Sequence, residues 1–259
     1  MNALTRALVA TAAGSARLGR IFGYLAAGTL RHADLRANAE REWNEYARDR
    51  WSAETGLLAW EKDFYLKQLS PGSRVLLVGC GGGRDLIGLI GAGYRADGLD
   101  IALAALARCR ENLVQRGLAA ALFEGTLEET ARQRAERFDA VVFSWLSYGY
   151  VLESRRREAT LRAAAALLKP GGRILLTYVP RSSEPSRWPS RAARAMALLS
   201  RSDWRPEHGD VLEISRPGGA ICYHVEHRFA PEEVLSEAEA SGLAVAFHEV
   251  GEAGRVVLV

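Results

Sequence analysis

Residues 75–85 read Val-Leu-Leu-Val-Gly-Cys-Gly-Gly-Gly-Arg-Asp. A short apolar run leads into glycines at 79, 81 and 83. A helical pattern of Leu86, Ile87, Leu89 and Ile90 follows. Strand, glycine turn and helix form the opening unit of a nucleotide-binding α/β fold. Glycine lets the backbone turn sharply and lie against a ligand that a Cβ would push away. A second apolar segment, Tyr94–Leu99, ends in Asp100. An acidic residue at that strand end can accept hydrogen bonds from both hydroxyls of a ribose. A dinucleotide fingerprint needs its third glycine at 84, where this chain has Arg84. The spacing therefore argues against a dinucleotide.

Candidates for proton transfer are His208, His224 and His227, with Tyr148 beside the sheet. No Ser-His-Asp pattern and no metal-ligand spacing accompanies them. The cysteines are Cys80, Cys109 and Cys222, an odd and scattered set that builds no disulfide framework. A reducing cytoplasm is the expected setting. Cys80 reads as a small filler of the glycine loop. The net charge of +3 is too small to imply nucleic acid, and the 259 residues suit one α/β domain with additions. Basic residues are nearly all Arg, a bias expected of a GC-rich genome.

The elements that must position these groups follow in order. A helix is expected over about 102–116, a strand at 120–123 and a short polar helix to about 137. Phe138–Phe143 is an uninterrupted apolar run, as expected of a central parallel strand. Its carboxyl end, Ser144-Trp145-Leu146-Ser147-Tyr148-Gly149-Tyr150, lies where such sheets bind ligands. A helix over 154–168 stops at Lys169-Pro170-Gly171-Gly172, and a fifth strand covers 173–178. Residues 220–229 alternate as an added strand. Pro231 opens a helix to about Ser241, and strands at 243–250 and 255–259 form a hairpin that ends the chain.

VLLVGCGGGRD and GLDIALAAL together resemble the class I S-adenosylmethionine-dependent methyltransferases. FDAVVFSW at 138–145, LKPGGRILLTY at 168–178 and the terminal strand pair match in the same order, so the resemblance covers roughly residues 40–259. It implies an α/β, Rossmann-like, seven-stranded and mostly parallel sheet with an antiparallel C-terminal strand. An N-terminal helical cap (1–69) would precede the cofactor domain (70–259), which carries an insert after strand 5 (180–218). The cofactor would be S-adenosyl-L-methionine and the acceptor a small or lipid-like molecule. Gly79, Cys80, Gly81 and Gly83 would shape the cofactor loop, Asp100 and Ile101 would hold the nucleoside, and Ser144 and Trp145 would flank the methionine end. Thr126 stands where the family usually carries an acid, and Leu127 offers a backbone amide there. Trp43 and Tyr46, three apart on one helix face, resemble the family's aromatic cap; ordinary core packing explains them equally well. Trp51, Trp60, Phe64 and Tyr65 would pack the cap on the sheet. Two other readings stand: a nucleotide-binding adaptor without catalysis, and an NAD-type oxidoreductase.

Two segments carry more than the family does. Residues 1–33 contain Arg6, Arg17, Arg20 and Arg31 and no acid. On an ideal helix at ~100° per residue, Leu4, Leu8, Leu18, Phe22 and Leu25 fall within roughly 60° of one line, opposite the arginines. Such a stripe suits a lid or dimer helix, an anionic membrane surface or a targeting peptide. Packing of Leu18 and Phe22 against the cap or a second subunit is the favoured outcome, and a membrane-peripheral place in the cytoplasm the next. The insert interleaves seven arginines with Trp188 and Trp204. It is expected to hold a helix at 191–199 and to cover the acceptor, with Tyr148 and Tyr150 lining the pocket; a solvated insert is the plainer reading.

Overall fold

The computed structural model describes residues 18–19, 21–47, 56–133, 137–181, 188–215 and 222–259. Seven strands form one sheet: β1 (Arg74–Val78), β2 (Arg95–Asp100), β3 (Leu122–Glu124), β4 (Phe138–Phe143), β5 (Leu168–Tyr178), β8 (Val245–Val250) and β9 (Gly254–Leu258). Their order is β3-β2-β1-β4-β5-β9-β8. The β1–β2, β2–β3, β1–β4 and β4–β5 pairs are parallel, and β9 runs antiparallel to both neighbours. This is the expected Rossmann-like sheet with its antiparallel strand near the C-terminus.

Alternation within β1 explains the two cores. Val75 and Leu77 point to one face and Leu76 to the other. On the first face they meet α3 (Ala59–Gln68), α4 (Arg84–Gly91) and α5 (Leu103–Gln115) through Phe64, Leu86, Leu89 and Leu106. On the second, Leu76 and Val141 meet α6 (Leu127–Gln133), α7 (Ser154–Ala166) and α9 (Pro231–Ala240) through Leu127, Leu161 and Val234. Burial on both sides is why β1 and β4 read as continuous apolar runs. The register pairs Val78 with both Leu99 and Phe143. Gly79, Asp100 and Ser144 therefore leave the sheet side by side.

A third, smaller core lies outside the sheet. Trp204 is fully buried and clusters with Leu212, Ala27 and Leu35. Ala27 belongs to helix α1 (residues 21–27) and Leu35 to α2 (His32–Tyr46). Leu212 lies on β6 (Asp210–Ser215), which pairs antiparallel with β7 (Cys222–His227) in a hairpin of its own. The sequence reading expected the β7 strand but not its partner β6. The insert's helix, α8 (Trp188–Leu199), begins three residues before the expected start, with Pro189 in its first turn. Cap helices and insert thus form one packed unit.

Phe64 and Tyr65 are buried, as expected of the cap, and Trp60 lies under the Arg255 guanidinium at 5.8 Å. The expectation that the cap covers Leu18 and Phe22 fails. They are 57% and 66% exposed, because α1 packs through Ala27 and Gly28 on its other side. Leu4, Leu8, Arg6, Arg17, Arg20 and Trp51 lie outside the described residues. Among the described residues, no helix is long and apolar enough to cross a membrane.

Candidate functional site

The glycine loop is tied to β2 from both sides. The amides of Gly79 and Cys80 donate to the Leu99 carbonyl at 2.8 and 3.1 Å. Asp100 answers from the strand end: its Oδ2 accepts the Gly81 amide at 2.8 Å and its Oδ1 the Ala102 amide at 2.9 Å. A carboxylate has about four acceptor sites, so Asp100 can take a further donor. Burial raises the Asp100 pKa, and the amides of Ala102, Gly81 and Ile101 pull against that rise. Gly81 has φ +52°, and a Cβ there would meet nothing within 4 Å. Its backbone borders open space beside the carboxylate. Gly83, at φ +91°, is required for another reason: a Cβ would come within 2.6 Å of Cys109 Sγ. The loop therefore offers a backbone-lined space next to a carboxylate, which fits a nucleoside cofactor.

Behind the loop, Arg84 and Asp85 make a buried ion cluster. Arg84 binds Glu61 of α3 at 2.5 and 2.6 Å, the Gly56 carbonyl at 3.0 Å and Asp85 at 2.5 Å. Its guanidinium also lies 5.0 Å from the Trp145 ring centroid. Burial lifts Asp85 to about 6 against the opposing pull of Arg84. Ser144 donates to Asp85 at 2.5 Å. Trp145 and Leu146 both take positive φ, 40° and 62°. Two consecutive non-glycine residues in that region turn the chain sharply at the end of β4, and such backbone strain clusters at functional sites.

Helix α2 crosses this edge. Asn44 accepts the Ala104 amide at the start of α5, at 2.9 Å. Six residues earlier, Asn38 exchanges hydrogen bonds with the backbone of Tyr223 on β7, at 2.5 and 2.8 Å. Trp43 lies between these anchors. Its ring is 4.9 Å from Tyr150, 5.5 Å from Tyr46 and 6.3 Å from His224. His224 sits between Glu42 (3.1 Å) and Glu226 (3.7 Å). The bonds to Glu226 and Glu42 raise its pKa to about 10.

The other proton-transfer candidates are packed differently. Tyr148 is fully buried and donates to Glu237 at 2.6 Å. Glu237 also binds Arg157, at 2.7 Å, and Arg157 reaches Glu207 at 2.9 Å. His227, 2% exposed, faces Asp210 at 2.7 Å and Glu233 at 3.5 Å. Burial alone would lower its pKa, but these two carboxylates raise it. His208 borders an open cleft of about 330 Å³ with Ser190, Arg191, Arg194 and Pro206. Among the described residues, no group of three or more His, Cys, Asp or Glu could hold a metal ion.

Part of the chain matches a known family, and its fold matches solved structures. A family described as "Methyltransferase domain" matches residues 75–172, from the glycine strand to the turn before β5's paired segment. Ubiquinone biosynthesis O-methyltransferase of Alkalilimnicola ehrlichii is 34% identical over 112 residues, 43% of each chain. The enzyme of the same name from Salmonella arizonae is 28% identical over 172 residues, 66% of this chain and 65% of that one. The chain thus spans less than half of the first relative and just under two thirds of the second. Among solved structures, a DhpI-SAM-HEP complex aligns with TM-score 0.62 and 19% identity over 89% of this chain and 99% of that one. A SAM-dependent methyltransferase from Methanosarcina mazei aligns with TM-score 0.57 and 18% identity over 78% and 97%. Residues 75–172 thus match a methyltransferase-domain family, and the chain has the fold of solved S-adenosylmethionine-dependent methyltransferases. Two such neighbours are named as complexes with SAM and with (S)-adenosyl-L-homocysteine.

Several positions differ from the methyltransferase roles expected of them. The Cys80 side chain turns inward; its thiol is hydrogen-bonded to Cys109 and, with burial added, its pKa is pushed well up. Ser144 is buried against Asp85. The Thr126 hydroxyl accepts the Glu129 amide at 3.3 Å, and Glu129 accepts the Thr126 amide at 2.8 Å. That reciprocal pair is a capping box starting α6. It engages the side chain, while Leu127 opens the helix, where amides have no intrahelical partner. Ile101 follows Asp100 half-buried. Of the two tyrosines expected at the acceptor, Tyr148 faces the core and Tyr150 faces Trp43. Sequence reasoning gave no role to Glu42, Glu61 or Asp85. The Arg84-Asp85 pair directly after the glycines was the one available signal, since a charged pair at a buried helix start needs partners.

Proposed function

We propose that this chain transfers a methyl group from S-adenosylmethionine to a small-molecule or lipid-like acceptor. The observation that carries the reading is the Asp100 clasp: one carboxylate orders the glycine loop and keeps lone pairs beside the open space at Gly81. Bound S-adenosylmethionine would supply an activated methyl group with a ready leaving group. Asp100 would accept the ribose hydroxyls, and the loop amides would line the rest of that space. Trp43 and Tyr46 would cover it from α2, with Trp145 on the β4 side. Orientation and exclusion of water can lower such a barrier by up to ~7–11 kcal/mol.

The residues also restrict the acid–base chemistry. His224, whose pKa Glu226 and Glu42 raise to about 10, is a poor proton acceptor near neutral pH. His227 and Tyr148 are buried away from solvent in carboxylate-bonded pairs. Of the four candidates His208 alone borders an open cleft, which favours acceptors that need little help in losing a proton. The relatives' name, ubiquinone biosynthesis O-methyltransferase, supports oxygen as the acceptor atom. Conversion of S-adenosylmethionine to S-adenosylhomocysteine, followed across phenolic, carboxylic and amine acceptors, tests the reading. Turnover with a phenolic or other acidic hydroxyl is expected. Tight cofactor binding without turnover on any acceptor would favour a non-catalytic adaptor.

A further inference from the structure

The α1 stripe has a second half in the insert. Leu198 and Leu199, at the end of α8, are 61% and 80% exposed, and Ile214 of β6 is 54% exposed. These elements adjoin α1. A Cβ on Gly23 would lie 4.0 Å from Ile214 Cδ1, and one on Gly28 would press on Ala193 and Met196 of α8. The Ser200 hydroxyl donates to the Gly28 carbonyl at 3.1 Å. Phe22 is on the side of α1 away from the buried Ala27, and Leu18, four residues before it, is likewise exposed. Each of three elements that touch one another thus carries exposed apolar side chains, although each has a buried face elsewhere.

Charge decides what covers them. Residues 1–33 carry four arginines and no acid. In the described part of the insert, Arg191, Arg194 and Arg201 precede the first acid, Asp203, whose carboxylate accepts the His32 amide at 2.9 Å. Glu213 is next to Ile214 but points to the opposite face of its strand. A two-fold contact between copies would set these basic segments against each other. An anionic surface would neutralise them while the apolar groups enter its interfacial layer.

We propose that α1 and the end of α8, with Ile214, form a docking face for an anionic lipid bilayer. The face would lie flat on the headgroups, with Leu18, Phe22, Leu198 and Leu199 inserted. Its test is independent of methyl transfer. The full chain should co-sediment with phosphatidylglycerol–phosphatidylcholine vesicles, far less with pure phosphatidylcholine, and leave the vesicles at high salt. Phe22→Glu and Leu199→Glu, each at an exposed position, should lower the partition coefficient by about tenfold or more. Both should retain the parent melting temperature and affinity for S-adenosylhomocysteine. Failure to sediment with the anionic vesicles would overturn the proposal, and so would binding that neither variant weakens. A dimer in light scattering that Phe22→Glu dissolves, with vesicles inert, would assign the face to a second copy instead.

Discussion

His224 shows how neighbours set the chemistry of a single residue. In sequence it is one of three candidate histidines, two of them on an alternating strand. In the folded chain Glu226 and Glu42 flank its ring and raise its pKa from 6.5 to about 10. A raised histidine pKa contributes stability that is fully present below the unfolded value and is lost as pH rises through the folded value. Here the window runs from about pH 6.5 to about 10. In an NMR titration the His224 ring should remain protonated through neutral pH, and Glu42→Gln should bring its midpoint down. A parent midpoint near 6.5 would restore His224 as a base candidate. Sequence could not show this, because Glu42 lies 182 positions away and meets the ring only through the packing of α2 on β7.

At the scale of elements, α6 separates a structural job from a functional one. The turn after β3 is where the family places an acidic cofactor contact, and this chain has Thr126. The Thr126–Glu129 pair caps α6 instead. Thr126→Ala should therefore cost ~1 kcal/mol in denaturant unfolding, the usual loss for an N-cap. Affinity for S-adenosylhomocysteine should be unchanged. A large loss of affinity with unchanged stability would return the side chain to the cofactor site. The capping box was legible as Thr followed three residues later by Glu, but the family pattern drew attention to the missing acid. By contrast, β6 was hardly legible. Asp210–Ser215 is short and mixed in polarity, and its pairing with β7 and the burial of Leu212 under Trp204 are tertiary facts.

For the whole molecule, the sheet was readable because its strands are buried on both faces. Val75–Val78 and Phe138–Phe143 appear as apolar runs for that reason. The glycine loop and Asp100 were readable because backbone conformation and strand-end chemistry both restrict residue type. The packing of α1 and α2 on the insert was not, since each buries only a narrow side and they do so against each other around Trp204. The central claim is that the space between this loop and Asp100 takes S-adenosylmethionine. Asp100 should contribute two charge-assisted hydrogen bonds to the ribose, at ~1.5–3 kcal/mol each. Calorimetry with the parent chain and Asp100→Ala tests this most directly. The parent should bind S-adenosylhomocysteine and not NAD, and the variant, still folded by its melting curve, should bind more than about tenfold more weakly. Preference of the parent for NAD, or unchanged affinity in a folded Asp100→Ala, would contradict the account.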